Sequence, residues 1–452
     1  MRLMSLARGG ALAGVALASA LFPQDSVGLV TLTVLALLCL STTEVVSLRN
    51  LAVAHLYLLL GVGPYLIPMV NQASVQWLAC GLFGAFLSGL VMRKLLDVSN
   101  TKVAASAVSP PSRSKTPQDV GSDSSSPRIL LASVIAQLVV LLLSLRQYGV
   151  ARYLSGVSLA ERISGYAETG ALDTIGILSL LTGVLTTACV GAYVARAEPG
   201  RKYAWSWLIG VLVVLPLLRL DRSALVVGII GLVFLASRQR CYRNGRSLTR
   251  VLVLVVSVLI ALGSAFGIGM LRSGALTGPR AADSGPLSLV VGEASPVRVI
   301  SDAILPGAPR YGGDPILAPM VTRFVPPTLL PEKPENTTTR YMLGRDAQAY
   351  RSGYMLAPSA LGAVILNFGT VAAIGGAFVM GHLLAARRDL GELPSGLLVI
   401  LFLSAYPLMR NDPANSVPSV VLALILYAIL RGRSPKAQLS RERRREVSWA
   451  AL

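Results

Sequence analysis

Long runs of apolar residues recur along most of this chain, separated by shorter polar segments. The runs lie at about 9–22, 27–47, 51–70, 74–92, 128–145, 174–195, 203–218, 223–237, 251–271, 357–385, 394–409 and 417–431. Most approach the roughly 20 residues that a helix needs to cross ~30 Å of hydrocarbon. Backbone groups in lipid must be satisfied within their own segment, and the sequence lacks the alternating pattern of barrel strands. The pattern predicts an all-α, polytopic integral membrane helix bundle with about 12 transmembrane helices.

The segments between the runs predict the order of regions. A stretch rich in Ser and Pro is typical of a disordered cytoplasmic linker, and a longer one rich in Pro and Gly predicts a large external (periplasmic) loop. The regions are helices 1–4 in 1–95, the linker in 96–127, helices 5–9 in 128–271 with an outer loop at 146–173, the large loop in 272–356, helices 10–12 in 357–433 and a basic cytoplasmic tail in 434–452. The first run also has the length of a signal peptide, so its cleavage is left open.

Composition excludes an ordinary soluble protein. The chain is 53% hydrophobic with a mean hydropathy of +0.64, and only 14% of its residues are charged, whereas soluble domains carry about 25%. The formal net charge of +19 first suggests nucleic acid as a partner. If the chain starts inside, however, 26 of its 41 basic residues fall on the cytoplasmic side. That is the positive-inside pattern of a membrane protein with both termini cytoplasmic, so no nucleic-acid partner is expected.

The sequence offers little chemistry for a metal or a cofactor. Its four cysteines are scattered, and no pair has the spacing of a metal site or a disulfide framework. The two histidines, His55 and His382, fall near the predicted cytoplasmic ends of their spans. Phosphate-binding loops, Gly-rich dinucleotide turns and nucleophile elbows do not occur. We therefore expect neither a metal nor a cofactor.

The remaining 15 basic residues lie on the predicted outer side, and 14 of them are arginines. Arg219 and Arg222 occupy a short gap between two apolar runs, and Arg410 opens another short outer loop. Arginine at these points works against the insertion bias, and charges at the membrane edge mark functional sites by default. A guanidinium forks onto phosphate oxygens, which favours a phosphate-bearing ligand. Snorkelling, or pairing with Asp221 and Asp412, is the alternative.

Three stretches carry a family resemblance. Leu220-Asp221-Arg222-Ser223 precedes an apolar helix, VTRFVPPTLLPEKPENTTTRY occupies 321–341 with Thr322 where the family commonly has proline, and APSALGAVILNFGTVAAIGGAFVMG occupies 357–381. With the span count and the large late outer loop, they resemble the Wzy-type polymerases of O-antigen, capsule or exopolysaccharide repeat units. The resemblance covers mainly residues 205–385, and its motifs are short.

The resemblance implies a glycosyltransferase of the bacterial cytoplasmic (inner) membrane that polymerises polyprenyl-diphosphate-linked oligosaccharides at the outer face, without a metal. Undecaprenyl diphosphate would leave, and fixed arginines stabilise the charge that develops on such a leaving group. The lipid bilayer is an expected partner, and a chain-length regulator protein is a further candidate. The expected catalytic residues are Arg222, Arg410 and Asp346. The residues expected to bind diphosphate or sugar are Arg152, Arg162, Arg219, Arg323, Lys333, Arg340, Arg345, Arg351 and Tyr166.

Three other functions remain as alternatives. An O-antigen ligase-like transferase resembles this architecture but is associated with an outer-loop histidine, which is missing here. A 12-helix secondary transporter usually has related halves and polar residues at the midplane, whereas the predicted spans are nearly free of ionisable side chains. A flippase for the same lipid-linked oligosaccharide needs a basic cavity that reaches into the membrane. The general base stays open among the outer carboxylates Asp346, Glu161, Glu168 and Asp412.

Overall fold

A computed structural model describes most of the predicted spans. It covers residues 26–40, 47–67, 70–104, 128–154, 174–196, 203–238, 296–325, 329–330, 332–351, 356, 358–385 and 394–431. All regular structure in these residues is helical. The predictions for the first apolar run, the run 251–271 and the basic tail lie outside them. The all-α prediction is therefore confirmed for the described part of the chain.

The first half of the chain begins with one regular and one interrupted helix. Its elements are α1 (Ser26–Cys39), α2 (Leu48–Leu56), a π-helical turn (Tyr57–Val62), α3 (Gly63–Leu66), α4 (Gln72–Ala104), α5 (Arg128–Tyr148), α6 (Val150–Leu154) and α7 (Thr174–Arg196). Helix α4 continues beyond residue 96, where the sequence predicted a disordered linker. No Pro or Gly interrupts residues 90–104, so the helix has no local reason to stop earlier.

The second half repeats the interrupted-helix feature and then adds the segments that the sequence predicts to be external. Its elements are α8 (Trp205–Ile209), a second π-helical turn (Gly210–Val214), α9 (Leu215–Leu218), α10 (Arg222–Arg238), α11 (Pro296–Ala303), α12 (Asp314–Thr322), α13 (Thr337–Arg351), α14 (Ser359–Phe368), α15 (Thr370–Ala385), α16 (Ser395–Arg410) and α17 (Pro413–Arg431). Helices α11 to α13 belong to the predicted large outer loop, which therefore contains helical structure.

Four helical segments are long and apolar enough to cross a membrane. They are Gln72–Arg93, Arg128–Tyr148, Ile175–Arg196 and Pro413–Arg431. Five further apolar helices have 10–17 residues: Trp205–Leu218, Ser223–Ala236, Ser359–Phe368, Thr370–Ala385 and Ser395–Arg410. The described residues thus hold fewer full-length spans than the sequence predicted. Apolar runs overestimate helix length because hydropathy is insensitive to the glycines and prolines that end or bend a helix.

The apolar run 357–385, predicted as one span, is two helices that meet at Gly369. Gly369 has a φ of 88°, a conformation that glycine adopts freely and other residues avoid. Helix α14, before the break, packs on α11, α13 and α16, whereas α15 packs on α4. The single-span prediction was wrong because the residues on both sides of Gly369 are apolar and conceal the change of direction.

Helices α4 and α15 pack backbone to backbone. Gly81 lies against the side chain of Ile374, and Gly89 lies against the backbone of Phe378 and His382, so the two helices run in the same direction. A Cβ atom added at Gly381 would overlap the carbonyl oxygen of Phe86. Small residues at such crossings let helices approach closely, which is the usual way in which helices associate in a membrane.

A helix bundle is formed by α5, α7, the interrupted helix α8–α9, α10, α16 and α17. At one end, a guanidinium nitrogen of Arg196 donates a hydrogen bond to the carbonyl oxygen of Leu430. The half of the bundle nearer this end is filled by buried apolar side chains, including Tyr193, and the rings of Phe234 and Phe402 stack with centroids 4.1 Å apart. This half of the bundle is therefore closely packed by the described residues.

The second π-helical turn has a specific cause. Pro216 has no backbone N–H and cannot donate to a carbonyl one turn earlier, and the turn at Gly210–Val214 directly precedes it. Nε2 of the buried Gln137 donates a 3.0 Å hydrogen bond to the carbonyl oxygen of Val211. A backbone group freed inside a membrane needs such a partner. Gln137 therefore fastens α5 to the turn that leads into α9.

Candidate functional site: a basic cavity in the helix bundle

A cavity of about 390 Å³ lies between α5, α7, α9, α10, α16 and α17, within the usual range of about 300–1,000 Å³ for ligand sites. Arg219, Asp221, Arg323 and Asn411 line it near the helix ends that lie opposite Arg196. Gln137 lines it much deeper, since it precedes the end of α5 at Tyr148 by 11 residues, or roughly 16 Å of helix. The cavity thus runs from a charged opening into the middle of the bundle.

A tight turn between α9 and α10 holds Arg219 at this opening. The N–H of Leu220 donates to Leu217 and that of Asp221 donates to Pro216, both at 3.0 Å, which closes a Schellman motif. Leu220 takes the left-handed position at a φ of 53°, where glycine is usual. It is one of only two non-glycine residues with positive φ in the described part of the chain. Strained backbone of this kind often marks a functional site.

Arg219 and Asp221 leave this turn in different roles. Arg219 is 8% exposed, donates to the hydroxyl of Ser179 on α7, and has Asp221 Oδ2 at 3.8 Å. Asp221 caps α10, because its Oδ1 accepts a 3.0 Å hydrogen bond from the N–H of Ala224. The carboxylate is therefore shared between a helix terminus and one guanidinium, and that guanidinium belongs to a residue of the cavity wall.

Arg323 reaches the same cavity from an external segment. It follows α12, which packs on α17, and its buried Nε has no hydrogen-bond partner in the described residues. Burial, and then the neighbouring charge of Arg323, lowers the pKa of Lys333. Arg323 lies in the cavity wall with Arg219, and its charge also acts on Lys333. Positive charges gathered in this way favour the binding of an anion.

Asp412 joins the external segment to the bundle. Its Oδ2 accepts hydrogen bonds from the N–H and the hydroxyl of Thr338 at 3.2 and 3.4 Å, and its Oδ1 accepts from the N–H of Ala414 at 3.0 Å. Beside it, Nδ2 of Asn367 donates to the hydroxyl of Thr337 at 2.9 Å. The stretches 321–341 and 357–381, which carry the family resemblance, therefore meet directly next to the cavity residue Asn411.

The burial of Asp412 predicts a pH dependence of stability. Burial raises the pKa of this carboxyl, although hydrogen bonds from Ala414, Thr338 and Thr337 oppose the shift. Because the folded state then binds the proton more readily than the unfolded state, stability rises as the pH falls through the raised pKa towards the ordinary value near ~4. We expect the melting temperature of the wild type, relative to Asp412→Asn, to increase as the pH is lowered from neutral. Parallel melting curves at every pH would contradict this.

The other predicted site residues have different fates. Arg345 forms an ion pair with Asp302 and is not one of the residues that line the cavity. Arg340 forms a surface ion pair with Glu335, with 3.7 Å between the charged atoms. Asp346 is exposed at an interruption of α13. Arg410 precedes the cavity residue Asn411. The side chains of Arg152, Arg222 and Arg351 are not described, and Arg162 and Tyr166 lie outside the described residues.

The polar residues of the cavity wall were not predicted from the sequence. Gln137, Ser404, Asn411 and Asn415 all line the cavity, yet none was a candidate. The available signal was a lone amide within the apolar run ILLASVIAQLVVLLL, since neutral polar groups inside spans usually have a packing or binding role.

Comparisons of the chain with protein-family models, with curated proteins and with solved structures find no match. In the residues that the structure describes, no group of three His, Cys, Asp or Glu side chains is placed to hold a metal ion. The case for function therefore depends on the cavity itself and on the three motifs.

Proposed function

We propose that this protein polymerises polyprenyl-diphosphate-linked oligosaccharide repeat units at the outer face of the bacterial cytoplasmic membrane, as a Wzy-type polymerase. On this proposal the chain crosses the membrane about a dozen times, and the cavity opens to the outside. The observation that carries the proposal is the convergence of Arg219 and Arg323 on one cavity. Fixed guanidinium groups at the membrane edge suit a diphosphate that is attached to a lipid.

The proposal has further support from the positions of the three motif stretches. Asp221 and Ser223 of the first stretch and Arg323 of the second line the same cavity. Asn367 of the third bonds to Thr337 of the second. Arginines at the opposite side of the molecule behave differently: Arg49, for example, donates to the carbonyl of Leu40 at the end of α1. Arg49 therefore serves as a helix cap, whereas Arg219 and Arg323 line a cavity.

The proposed reaction needs charge stabilisation more than covalent chemistry. A hydroxyl oxygen of the acceptor sugar attacks the anomeric carbon of the donor, and the bond from that carbon to the diphosphate breaks. The electron pair leaves with the polyprenyl diphosphate, while the hydroxyl proton passes to a base or to water. Arg219 and Arg323 stabilise the negative charge that grows on the leaving group.

A flippase for the same lipid is the second candidate, because the cavity extends well into the bundle. Against it, the lining residues deeper than Arg219, Asp221 and Arg323 are all uncharged, and the remaining half of the bundle is packed with apolar side chains. A carrier that moves a diphosphate across the membrane would need cationic groups along its path.

Purified protein in lipid nanodiscs is expected to convert a polyprenyl-diphosphate-linked repeat unit into a ladder of products that differ by one unit. Arg323→Gln should weaken binding of undecaprenyl diphosphate by about 10- to 100-fold, the cost of one or two charge-assisted hydrogen bonds. Arg310→Gln is the matched control, because Arg310 is exposed and donates to the carbonyls of Ala303 and Pro309. Transport of the lipid without any ladder would favour the flippase, and equal binding by both variants would refute the assigned diphosphate site.

A further inference from the structure

The deep part of the cavity is lined by neutral polar residues, one of which has a buried polar atom without a partner among the described residues. Oε1 of Gln137 is buried without a hydrogen-bond partner in the described structure, in a residue that is 1% exposed. Ser404, on α16, is a buried residue that lines the same cavity. The amide of Asn415 lines the cavity nearer its charged end, since Asn415 lies close to the start of α17.

Many buried hydroxyls of the described helices have a partner within the protein, although that of Tyr427 has none among the described residues. Those of Thr33, Ser144 and Thr182 each donate to a carbonyl one turn earlier in their own helix, at 2.7 to 2.8 Å. A buried polar group without a partner costs about 1–3 kcal/mol, so proteins retain few of them. The unpartnered Oε1 of Gln137, on a cavity wall that also carries Ser404, is therefore best explained by a ligand that completes its hydrogen bonds.

The chemistry of the wall defines this ligand. Gln137 offers an acceptor through Oε1, and Ser404 offers a donor and an acceptor. The lining residues at this depth carry no charge. An ion would be poorly stabilised here, whereas a neutral group with several hydroxyls would find partners of both kinds.

We propose that the deep part of the cavity is a subsite for an uncharged polyhydroxyl group that is joined to the anion held by Arg219 and Arg323. Gln137 Oε1 accepts a hydrogen bond from one hydroxyl, and Ser404 bonds to a second. The identity of this group rests on the proposed function, under which it is the sugar next to the diphosphate. The glycerol headgroup of phosphatidylglycerol presents the same chemistry, and the experiment distinguishes the two.

The test measures binding by purified full-length protein in nanodiscs of zwitterionic lipid. The probes are undecaprenyl diphosphate, the same lipid bearing one sugar, and phosphatidylglycerol. The wild type should bind the sugar-bearing lipid at least ~10-fold more tightly than the bare lipid. Ser404→Ala should reduce this preference by about threefold, in keeping with the loss of one hydrogen bond, and should leave binding of the bare lipid unchanged.

Gln137→Met should abolish the preference, but it also removes the partner of the Val211 carbonyl. Ser404→Ala therefore decides the test if that variant fails to fold. The control is Ser88→Ala, since Ser88 is exposed on α4 and its hydroxyl donates to the carbonyl of Gly84.

Each outcome bears on a definite claim. A wild type that binds both prenyl lipids equally, or a preference that Ser404→Ala leaves intact, overturns the subsite while the diphosphate site stands. Binding of phosphatidylglycerol that depends on Ser404, without binding of either prenyl lipid, supports the hydroxyl subsite and overturns the proposed function. No binding of any probe overturns both.

Discussion

Replacing Arg219 by lysine is expected to lower polymer formation by at least ~100-fold, the usual cost of losing a donor to developing negative charge. Lysine keeps the positive charge, but its single ammonium group cannot reach the Ser179 hydroxyl, the Asp221 carboxylate and a phosphate oxygen at the same time. The measurement is the rate at which purified protein in nanodiscs extends a polyprenyl-diphosphate-linked repeat unit. Thermal unfolding of the same sample checks that the variant is folded.

The matched control for this substitution is Arg310→Lys. Arg310 is also an arginine of the external segments, but it donates to the carbonyl of Ala303 at 2.9 Å, a role that an ammonium group can take over. Its activity should stay within about twofold of the wild type, since exposed positions of this kind usually tolerate substitution. If Arg219→Lys retained similar activity, snorkelling would be a sufficient explanation for Arg219, and the proposed role in diphosphate binding would be lost.

Gly381→Ala is expected to destabilise the protein by about 1–3 kcal/mol or more, the range for overpacking a tight core. The new Cβ would overlap the carbonyl oxygen of Phe86 on α4. Because the contact involves backbone on the neighbouring helix, no change of side-chain rotamer can relieve it. Unfolding is conveniently followed with a thiol-reactive dye, since Cys39 and Cys189 are free and buried.

Gly376→Ala provides the comparison on the same helix. No heavy atom lies within 4 Å of a Cβ built at Gly376, and alanine is favoured over glycine inside a helix by about 0.5–1 kcal/mol. This variant should unfold at the same temperature as the wild type or slightly higher. Equal loss of stability in both variants would mean that the close approach of α4 and α15 is not what Gly381 provides.

The helical nature of the described chain could be read from the apolar runs, because their length alone excludes strands in lipid. The interruptions could not. The break at Gly369 and the π-helical turn before Pro216 lie inside runs that are apolar throughout. They coincide with Pro216 and Gly369, to which hydropathy is insensitive, and the turn before Pro216 also has a distant partner in Gln137, which periodicity does not contain.

The candidate site was predictable to a similar degree. Arg219 and Arg323 were expected to bind phosphate, and they line one cavity. Arg345 was predicted to bind phosphate as well, but it forms an ion pair with Asp302, which is 43 positions earlier in the chain. Residue type and predicted side cannot separate these cases, because a cation's role depends on whether folding brings a carboxylate to it. The neutral wall residues were missed for the opposite reason, since sequence reasoning gave weight only to charge.

The packed half of the bundle, with its stacked rings of Phe234 and Phe402, lies beyond the deep end of the cavity. On the proposed function, the donor would enter, and the released polyprenyl diphosphate would leave, through the same end of the cavity, where the arginines lie. The carrier has to withdraw before the next repeat unit can be seated, so each addition requires the cavity to be vacated. Each round of elongation would then exchange the released polyprenyl diphosphate for a new substrate at this end of the cavity. The rate of that release would limit the rate of polymerisation.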